Sequence, residues 1–196
     1  MVIRSFLAFE LPSDIKKMVT YVSEDVRGSR LNVKWVKVDN IHLTVVFMGN
    51  ISTEDAPAIR EEIKKGCLGF EPFDIYLKGL GVFPDARMPR ILWLGLEGEI
   101  KRMSSFKKGL QERLKTFGIK EEKRRFKPHL TLGRFRKPNN RGDPILEGII
   151  SRYKDLESPV CPLEELVMFK SELKPEGAKY TRLESWTLKG GMIEKK

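Results

Sequence analysis

The chain contains 196 residues, 40% of them hydrophobic, and its formal net charge is +10. This length suffices for one globular domain with a sizeable core, and no stretch reaches the ~18 consecutive apolar residues of a membrane span. The two cysteines are too few for a disulfide framework, and the excess of basic residues favours nucleic acid as a partner. The apolar run at the start lacks the length and cleavage site of a signal peptide, so we expect a cytoplasmic protein.

The first half of the chain alternates between strand-like and helix-like patterns. In chain order, these patterns predict strands at 2–11, 32–38, 42–48, 73–83 and 90–96, and helices at 13–28 and 54–65. Pro12 marks the end of the first strand, and Ser13 and Asp14 are residues that cap the N-terminus of a helix. Pro57 is compatible with the second helix only in its first turn.

The second half continues the alternation, and no low-complexity linker divides it from the first. In chain order, the patterns predict a helix at 99–117, a strand at 129–135, a short helix after 143 and strands within 157–189 that are interrupted at 173–180. Gly118 ends the first of these helices, and Asp143-Pro144 is a typical N-cap and first-turn pair for the second.

One short phrase occurs twice in the chain. His-Leu-Thr followed by an aliphatic residue appears in NIHLTVVFMG (40–49) and again in KPHLTLGRF (127–135). The chain has only two histidines, His42 and His129, and each begins one copy. Both copies lie in predicted strands, so the two histidines of the protein occupy the same place in two similar segments.

Side chains on a strand alternate between its two faces, which gives each phrase one polar face and one apolar face. His42 and Thr44 therefore point the same way, as do His129 and Thr131, while the aliphatic residues point into a core. If the two strands meet, two imidazoles and two hydroxyls line one cleft. Imidazoles titrate near neutral pH, so one ring can act as general base and the other as general acid in a displacement at phosphorus. The hydroxyls can hydrogen-bond the non-bridging phosphate oxygens, and no metal is required.

Other uses of these residues are less well supported. A single His-x-Thr on a strand is more often structural, but two copies in matched contexts favour function. A zinc site would need three or four ligands at characteristic spacings, and Cys67 and Cys161 have no such spacing with either histidine. We expect two buried thiols instead. The sequence contains neither the Gly-x-Ser-x-Gly of a nucleophile elbow nor a glycine-rich phosphate loop.

The duplicated phrase also indicates the architecture. Each copy lies in a mixed strand-and-helix half, which predicts an α+β fold with two similar lobes of antiparallel sheet that face each other. We therefore expect residues 1–196 to form a single domain of two such lobes.

Four segments resemble a known family: RSFLAFELP (4–12), VKWVKVDNIHLTVVFMGN (33–50), RRFKPHLTLGR (124–134) and SELKPEGAKY (171–180). The chain resembles the 2H phosphoesterases, specifically the RNA 2′,3′-cyclic phosphodiesterases that are also called 2′-5′ RNA ligases (the LigT-like group). The resemblance covers nearly the whole chain. It implies a bilobal α+β fold, with two pseudo-symmetric lobes of antiparallel sheet and helices around a central groove, and hydrolysis of RNA 2′,3′-cyclic phosphate ends to 2′-phosphates. We expect this hydrolysis to be metal-independent and to need no cofactor.

The same resemblance implies roles for individual residues. His42 would be the general acid that protonates the leaving O3′, and His129 the base that activates water, although pseudo-symmetry allows these roles to exchange. Thr44 and Thr131 would bind the phosphate. Arg134 matches a family arginine near the phosphate, yet on an ideal strand it points away from His129, so its reach depends on a bend or a strand end.

Further binding residues are open to two interpretations each. Tyr180 either lines the groove or packs, and the same alternatives hold for Arg134. The basic run 120–127, extended by Arg134, Arg136, Lys137 and Arg141, is either a track for the RNA backbone or a solvated surface. Trp35 and Phe9 are candidates for stacking on a terminal base, with core packing favoured for Phe9.

Two other functions remain open at this point. The biological reaction could be ligation of tRNA halves through a 2′-5′ bond, which is the reverse activity that the resemblance implies. Alternatively, the protein could be a non-catalytic binder of RNA ends. In each case we expect RNA as the partner, no membrane association and a monomer.

Overall fold

The computed structural model describes residues 1–122, 125–136, 143–175 and 177–190. Its strands are β1 (Val2–Phe9), β2 (Val33–Trp35), β3 (Leu43–Ser52), β4 (Phe73–Phe83), β5 (Ile91–Gly98), β6 (His129–Phe135), β7 (Cys161–Leu163), β8 (Glu165–Lys174) and β9 (Gly177–Thr187). Its α-helices are α1 (Ser13–Arg27), α2 (Ala56–Cys67), α3 (Ile100–Leu114) and α4 (Pro144–Arg152). Short 3₁₀ turns precede β3 and follow α3.

The strands form two antiparallel sheets. Sheet A has the order β3-β1-β8-β9, and sheet B has the order β2-β6-β5-β4-β7. All pairings between these strands are antiparallel. The predicted α+β class with two antiparallel sheets is therefore confirmed.

The two sheets do not correspond to the two halves of the sequence. Sheet A combines β1 and β3 with β8 and β9, which come from the far end of the chain, whereas β2 joins sheet B. Each histidine phrase therefore lies in a sheet that contains strands from both halves of the sequence. Sequence patterns show where strands occur but contain little information about which distant strands will pair.

The main hydrophobic core lies between the helices and the inner faces of both sheets. Phe9 is 1% exposed and lies within about 6 Å of Phe73 and Phe106, ring to ring. It is therefore a core residue and is not accessible for stacking on a base. A second, smaller cluster lies on the opposite face of sheet A, formed by Phe6, Ala8, Val167 and Phe169.

Several helix ends follow the sequence signals, and one differs. Asp143 caps α4 by accepting a 2.9 Å hydrogen bond from the backbone N–H of Ile145, and Gly118 has a left-handed φ of 73° after α3. Ser13, expected to cap α1, is instead its first helical residue, and no side chain caps this helix. Pro12 precedes it in an extended conformation, which suffices to start the helix without a side-chain cap.

Two further findings concern the surface and the thiols. No helix in the described ranges combines the length and the apolar composition needed to cross a membrane. Cys67 and Cys161 are both buried and unpaired, which confirms the expectation of two buried thiols. Burial raises the pKa of Cys67 to about 12, so this thiol stays protonated and unreactive at neutral pH.

Candidate active site

The two histidine phrases lie on strands of different sheets that approach each other. His42 directly precedes β3, the edge strand of sheet A, and His129 is the first residue of β6 in sheet B. Residues of β3 and β6 come within 8 Å of each other between Cα atoms. The fold thus brings together two segments that are far apart in the sequence.

Both imidazoles are held in the same way. His42 Nδ1 is 2.8 Å from the carbonyl oxygen of Asn40, and His129 Nδ1 is 2.8 Å from that of Lys127. A carbonyl oxygen can only accept, so Nδ1 bears the proton and donates it in both rings. Within the described chain Nε2 has no hydrogen-bond partner in either ring, which leaves this nitrogen available to a ligand.

His42 lies among aromatic rings of sheet A. Its ring stacks on Phe6 at 4.7 Å between centroids and meets the edge of Tyr180 at 5.2 Å, with Phe169 beyond at 6.1 Å. This burial lowers the pKa of His42 to about 4, although the hydrogen bond to Asn40 opposes the shift. The ring is therefore neutral at pH 7 when no ligand is bound.

His129 has a similar but more polar environment on sheet B. Its ring meets Phe83 edge to face at 5.0 Å, and Phe83 in turn contacts Trp93 at 4.9 Å. Burial lowers the pKa of His129, the positive charge of Arg134 lowers it further, and the hydrogen bond to Lys127 and the charge of Glu122 oppose the shift. Both histidines are thus neutral bases in an aromatic-walled site.

The threonines follow the alternation predicted from the sequence. Thr44 and Thr131 are half-buried, while the aliphatic residues on either side of each are buried in the main core. No described residue forms a hydrogen bond with either hydroxyl. Each phrase therefore offers an imidazole and a free hydroxyl on the same face.

A β-bulge after each phrase changes the alternation at the same position. In β3 the pairing with β1 skips Val45, and in β6 the pairing with β5 skips Leu132. The extra residue moves the side chains that follow it, up to the next irregularity of the strand, to the other face. Phe47 and Arg134 each follow a histidine by five residues, and both consequently lie on the same face of the strand as that histidine. The bulge in β6 supplies the bend on which the position of Arg134 was expected to depend.

Arg134 and Tyr180 connect the two halves of the site. Tyr180 contacts His42 from β9, and its phenol is close enough to Arg134 of β6 to feel its charge. Burial raises the pKa of Tyr180, and the positive charges of Arg134 and Arg4 oppose that rise. The charge of Arg134 also contributes to the lowered pKa of His129. A series of neighbouring side chains therefore runs from His42 through Tyr180 and Arg134 to His129 and connects the two sheets.

Some sequence-predicted residues lie elsewhere or outside the described ranges. Trp35 packs against the main core, with its ring over Gly133, and does not face the site. The described basic residues near β6 are exposed and comprise Lys120, Arg125, Lys127, Arg134 and Arg136. Lys123, Arg124, Lys137 and Arg141 fall outside the described residues.

The aromatic walls were not foreseen from the sequence. Phe6, Phe83, Trp93 and Phe169 come from strands that carry no part of the histidine phrases. Only Phe47 had a signal, because its spacing from His42 equals the spacing of Arg134 from His129. No group of three or more His, Cys, Asp or Glu side chains within the described ranges is arranged to hold a metal ion.

Comparisons with known proteins agree with the resemblance. A family model described as the 2′-5′ RNA ligase superfamily matches residues 17–175. The RNA 2′,3′-cyclic phosphodiesterase of Methanothermobacter thermautotrophicus is 32% identical over 188 residues, which cover 96% of this chain and 100% of that protein. The protein of the same name from Methanocaldococcus jannaschii is 31% identical over 183 residues, which cover 93% of this chain and 99% of that one.

Solved structures share the fold. A crystal structure of a Thermus thermophilus protein has a TM-score of 0.78 and 29% identity, covering 96% of this chain and 99% of that chain. The structure of Escherichia coli LigT complexed with 3′-AMP has a TM-score of 0.73 over the same shares of both chains, and at 20% identity it supports the fold alone. Because the family model matches residues 17–175, which are most of this chain, the chain belongs to the 2′-5′ RNA ligase superfamily.

Proposed function

We propose that this protein hydrolyses the 2′,3′-cyclic phosphate at an RNA 3′ end to a 2′-phosphate. One observation supports the proposal above the others: where β3 and β6 meet, both histidines have Nδ1 bound to a backbone carbonyl and Nε2 without a hydrogen-bond partner among the described residues. Two such imidazoles provide the acid and the base that this displacement needs. The names of the relatives agree with this reaction.

In the proposed reaction, water attacks phosphorus and the bond from phosphorus to O3′ breaks. His129 takes a proton from the water, and His42 gives a proton to O3′, which leaves as the 3′-hydroxyl. Thr44, Thr131 and Arg134 bind the non-bridging oxygens and stabilise the charge that develops on them. The two imidazoles perform the proton transfers without a metal ion.

Substrate binding adjusts the protonation of the acid. His42 is neutral in the unliganded site, because burial lowers its pKa to about 4. A phosphodiester anion beside the ring favours the imidazolium, so His42 takes up the proton needed for the leaving group from solvent when the substrate binds. The two rings then titrate as a pair, and reversal of the reaction exchanges their roles.

The expected substrate is RNA rather than a small phosphodiester. The net charge of +10 and the exposed basic residues near β6 attract a polyanion to the groove. We expect the protein to act as a monomer on RNA in the cytoplasm, with tRNA fragments among the possible substrates. Size-exclusion chromatography with light scattering tests the oligomeric state.

The direct test is incubation with an RNA that ends in a 2′,3′-cyclic phosphate, in the presence of EDTA. We expect conversion to a 2′-phosphate, identified by mass spectrometry and by resistance of the product to an enzyme specific for 3′-phosphates. His42→Ala and His129→Ala should each lower kcat by about 10²–10⁴-fold, as expected for loss of a general acid or base. Tyr21→Ala, an exposed change on α1, is the matched control and should retain full activity.

Two results would contradict this proposal. Full activity in both histidine variants would remove the catalytic role of the pair. Binding of the RNA without any turnover in the wild-type protein would favour the alternative function, a non-catalytic binder of RNA ends.

The family description favours one further candidate, 2′-5′ ligation. By microscopic reversibility, the same two imidazoles can join a 2′,3′-cyclic phosphate to a 5′-hydroxyl through a 2′-5′ bond. Incubation of paired tRNA halves at high concentration tests this reaction. A product that resists nucleases specific for 3′-5′ bonds would identify it.

A further inference from the structure

The β-bulge in β3 exposes the aromatic ring of Phe47 on the face of sheet A that carries His42. Phe47 is 67% exposed although it is a large hydrophobic residue within a strand. It pairs with Phe6 across β1 and β3, and the two rings are 6.2 Å apart between centroids. Phe6 also stacks on His42, so Phe47 lies one ring farther along the sheet from the catalytic imidazole.

An arginine lies on the same face, next along β1. Arg4 is two residues from Phe6, so both side chains leave β1 on the same side. Burial raises the pKa of Tyr180 and the positive charge of Arg4 opposes this rise, in keeping with a guanidinium on the same side of sheet A as Tyr180. Arg4 is exposed and forms no ion pair or side-chain hydrogen bond with any residue that the structure describes.

We propose that Phe47 and Arg4 form a subsite for the terminal nucleoside of the RNA. The base stacks on the exposed face of Phe47, and Arg4 binds the phosphodiester on the 5′ side of that nucleoside. This inference rests on the proposed function, and it adds that the protein selects RNA ends over nucleoside cyclic phosphates, which lack the 5′ phosphodiester.

The order of the groups along the sheet supports this arrangement. Along this face of sheet A, with increasing distance from the catalytic imidazole, the series runs from His42 to Phe6, then to Phe47 and Arg4. A nucleotide presents the same order from its 3′ end, namely cyclic phosphate, ribose with base, and 5′ phosphate. The base-stacking role for which Trp35 and, less favoured, Phe9 were candidates is thereby assigned to Phe47, since both of those residues pack on the core.

Three substrates separate the parts of the subsite. A dinucleotide with a cyclic phosphate end has both a base and a 5′ phosphodiester, a nucleoside 2′,3′-cyclic phosphate has only the base, and bis(4-nitrophenyl) phosphate has neither. The variants are Phe47→Leu and Arg4→Gln. Tyr21→Leu and Arg30→Gln, at exposed positions on and just after α1, are the matched controls.

We expect the two variants to change different ratios of kcat/KM. Phe47→Leu should lower the ratio of nucleoside cyclic phosphate to bis(4-nitrophenyl) phosphate by about tenfold, which is typical of losing one base–aromatic stack. Arg4→Gln should lower the ratio of dinucleotide to nucleoside cyclic phosphate by about fivefold or more. Equal losses of kcat/KM on all three substrates, or no loss on any of them, would overturn the proposal of this subsite.

A binding measurement keeps this test independent of turnover. Calorimetric titration with a dinucleotide that ends in a 2′-phosphate should show weaker binding to Phe47→Leu and to Arg4→Gln than to the two controls. If the wild-type protein cleaves none of the substrates, the proposed function fails, and this titration still decides the subsite. Equal affinity in all four variants would refute it.

Discussion

At the scale of single residues, the site depends on how each imidazole is fixed. In both phrases the backbone carbonyl two residues before the histidine holds Nδ1, so the segment directly ahead of the strand sets the ring orientation. On the His42 side, the Asn40 side chain also donates to the carbonyl of Ala178 at 2.8 Å, which ties this segment to β9. The ring is thereby positioned before any substrate binds.

The low pKa of His42 predicts how stability depends on pH. The unfolded chain binds a proton at His42 near pH 6.5, whereas the folded chain does so only near pH 4. The folded protein therefore loses stability as the pH falls from about 6.5 towards 4, and keeps this contribution above pH 6.5. We expect a loss on the order of 1–3 kcal/mol from this group, measured by urea denaturation at several pH values.

The variant His42→Gln separates the contribution of His42 to the pH dependence of stability from the contribution of the acidic residues. His42→Gln cannot be protonated, so the difference in unfolding free energy between wild type and variant should change over pH 4 to 6.5 and stay constant above it. Parallel pH curves for the two proteins would mean that the folded state does not disfavour a proton on His42.

Sequence reasoning identified the paired imidazoles and hydroxyls because alternation along a strand is a local property. Of the rings around His42 it named only Tyr180, through the family resemblance, and it did not identify Phe6 or Phe169. Phe6, Phe169 and Tyr180 reach His42 from three different strands, and their convergence depends on long-range pairing that no local pattern encodes.

At the scale of elements, the two bulges determine which side chains face the groove. Without the extra residue in β6, Arg134 would lie opposite His129, as ideal alternation predicts. Gly133 follows the bulged residue and is packed closely against β2: a Cβ there would lie 2.3 Å from Val33 Cγ1 and 3.3 Å from the carbonyl of Lys34. The bulge therefore depends on a residue without a side chain.

Gly133→Ala should consequently disturb both stability and activity. Val33 is buried and branched at Cβ, so it cannot move aside easily, and we expect a loss of about 1–3 kcal/mol in unfolding free energy. Activity should also fall, because Arg134 is the next residue along the bulge. Chemical denaturation and the cyclic phosphate assay measure the two effects.

Gly109→Ala on α3 is the control for this change. A Cβ at Gly109 meets no atom within 4 Å, and Ala is preferred over Gly inside a helix, so this variant should gain about 0.5–1 kcal/mol. If Gly133→Ala is as stable as wild type, the close packing of the bulge against β2 is not required.

Most elements were predicted from the sequence, since hydrophobic periodicity and turn residues act locally. Differences occur where a local signal has more than one structural outcome. Val38–Asn40 forms a 3₁₀ turn in place of the end of a strand at 32–38, because the segment must turn sharply into β3. Strand β2 is therefore reduced to Val33–Trp35.

At the scale of the whole molecule, the exchange of strands between the halves makes the two sheets interdependent. A single main core contains residues of both sheets and of all four described helices, including Leu7, Val19, Ile59, Leu110, Leu130 and Leu146. We propose that residues 1–196 form one domain in the thermodynamic sense, although its strands belong to two separate sheets.

This arrangement predicts one cooperative unfolding transition. Fluorescence of Trp35 and Trp93 reports on sheet B, and Trp186 reports on sheet A. Variants with a single tryptophan in each sheet should give the same midpoint in guanidinium chloride, and far-UV circular dichroism should coincide with both. Separate midpoints for the two sheets would show that the lobes unfold independently.

The pairing of Phe6 on β1 with Phe169 on β8 matters while the protein is being synthesised. β1 leaves the ribosome before β8 and can pair with β3 soon after β3 is made, yet its other edge waits until β8 has been translated. An open strand edge invites pairing with other chains, so the nascent protein is vulnerable to aggregation during this interval. A fragment released before β8 would also lack Phe169 and Tyr180, and with them the ring environment of His42.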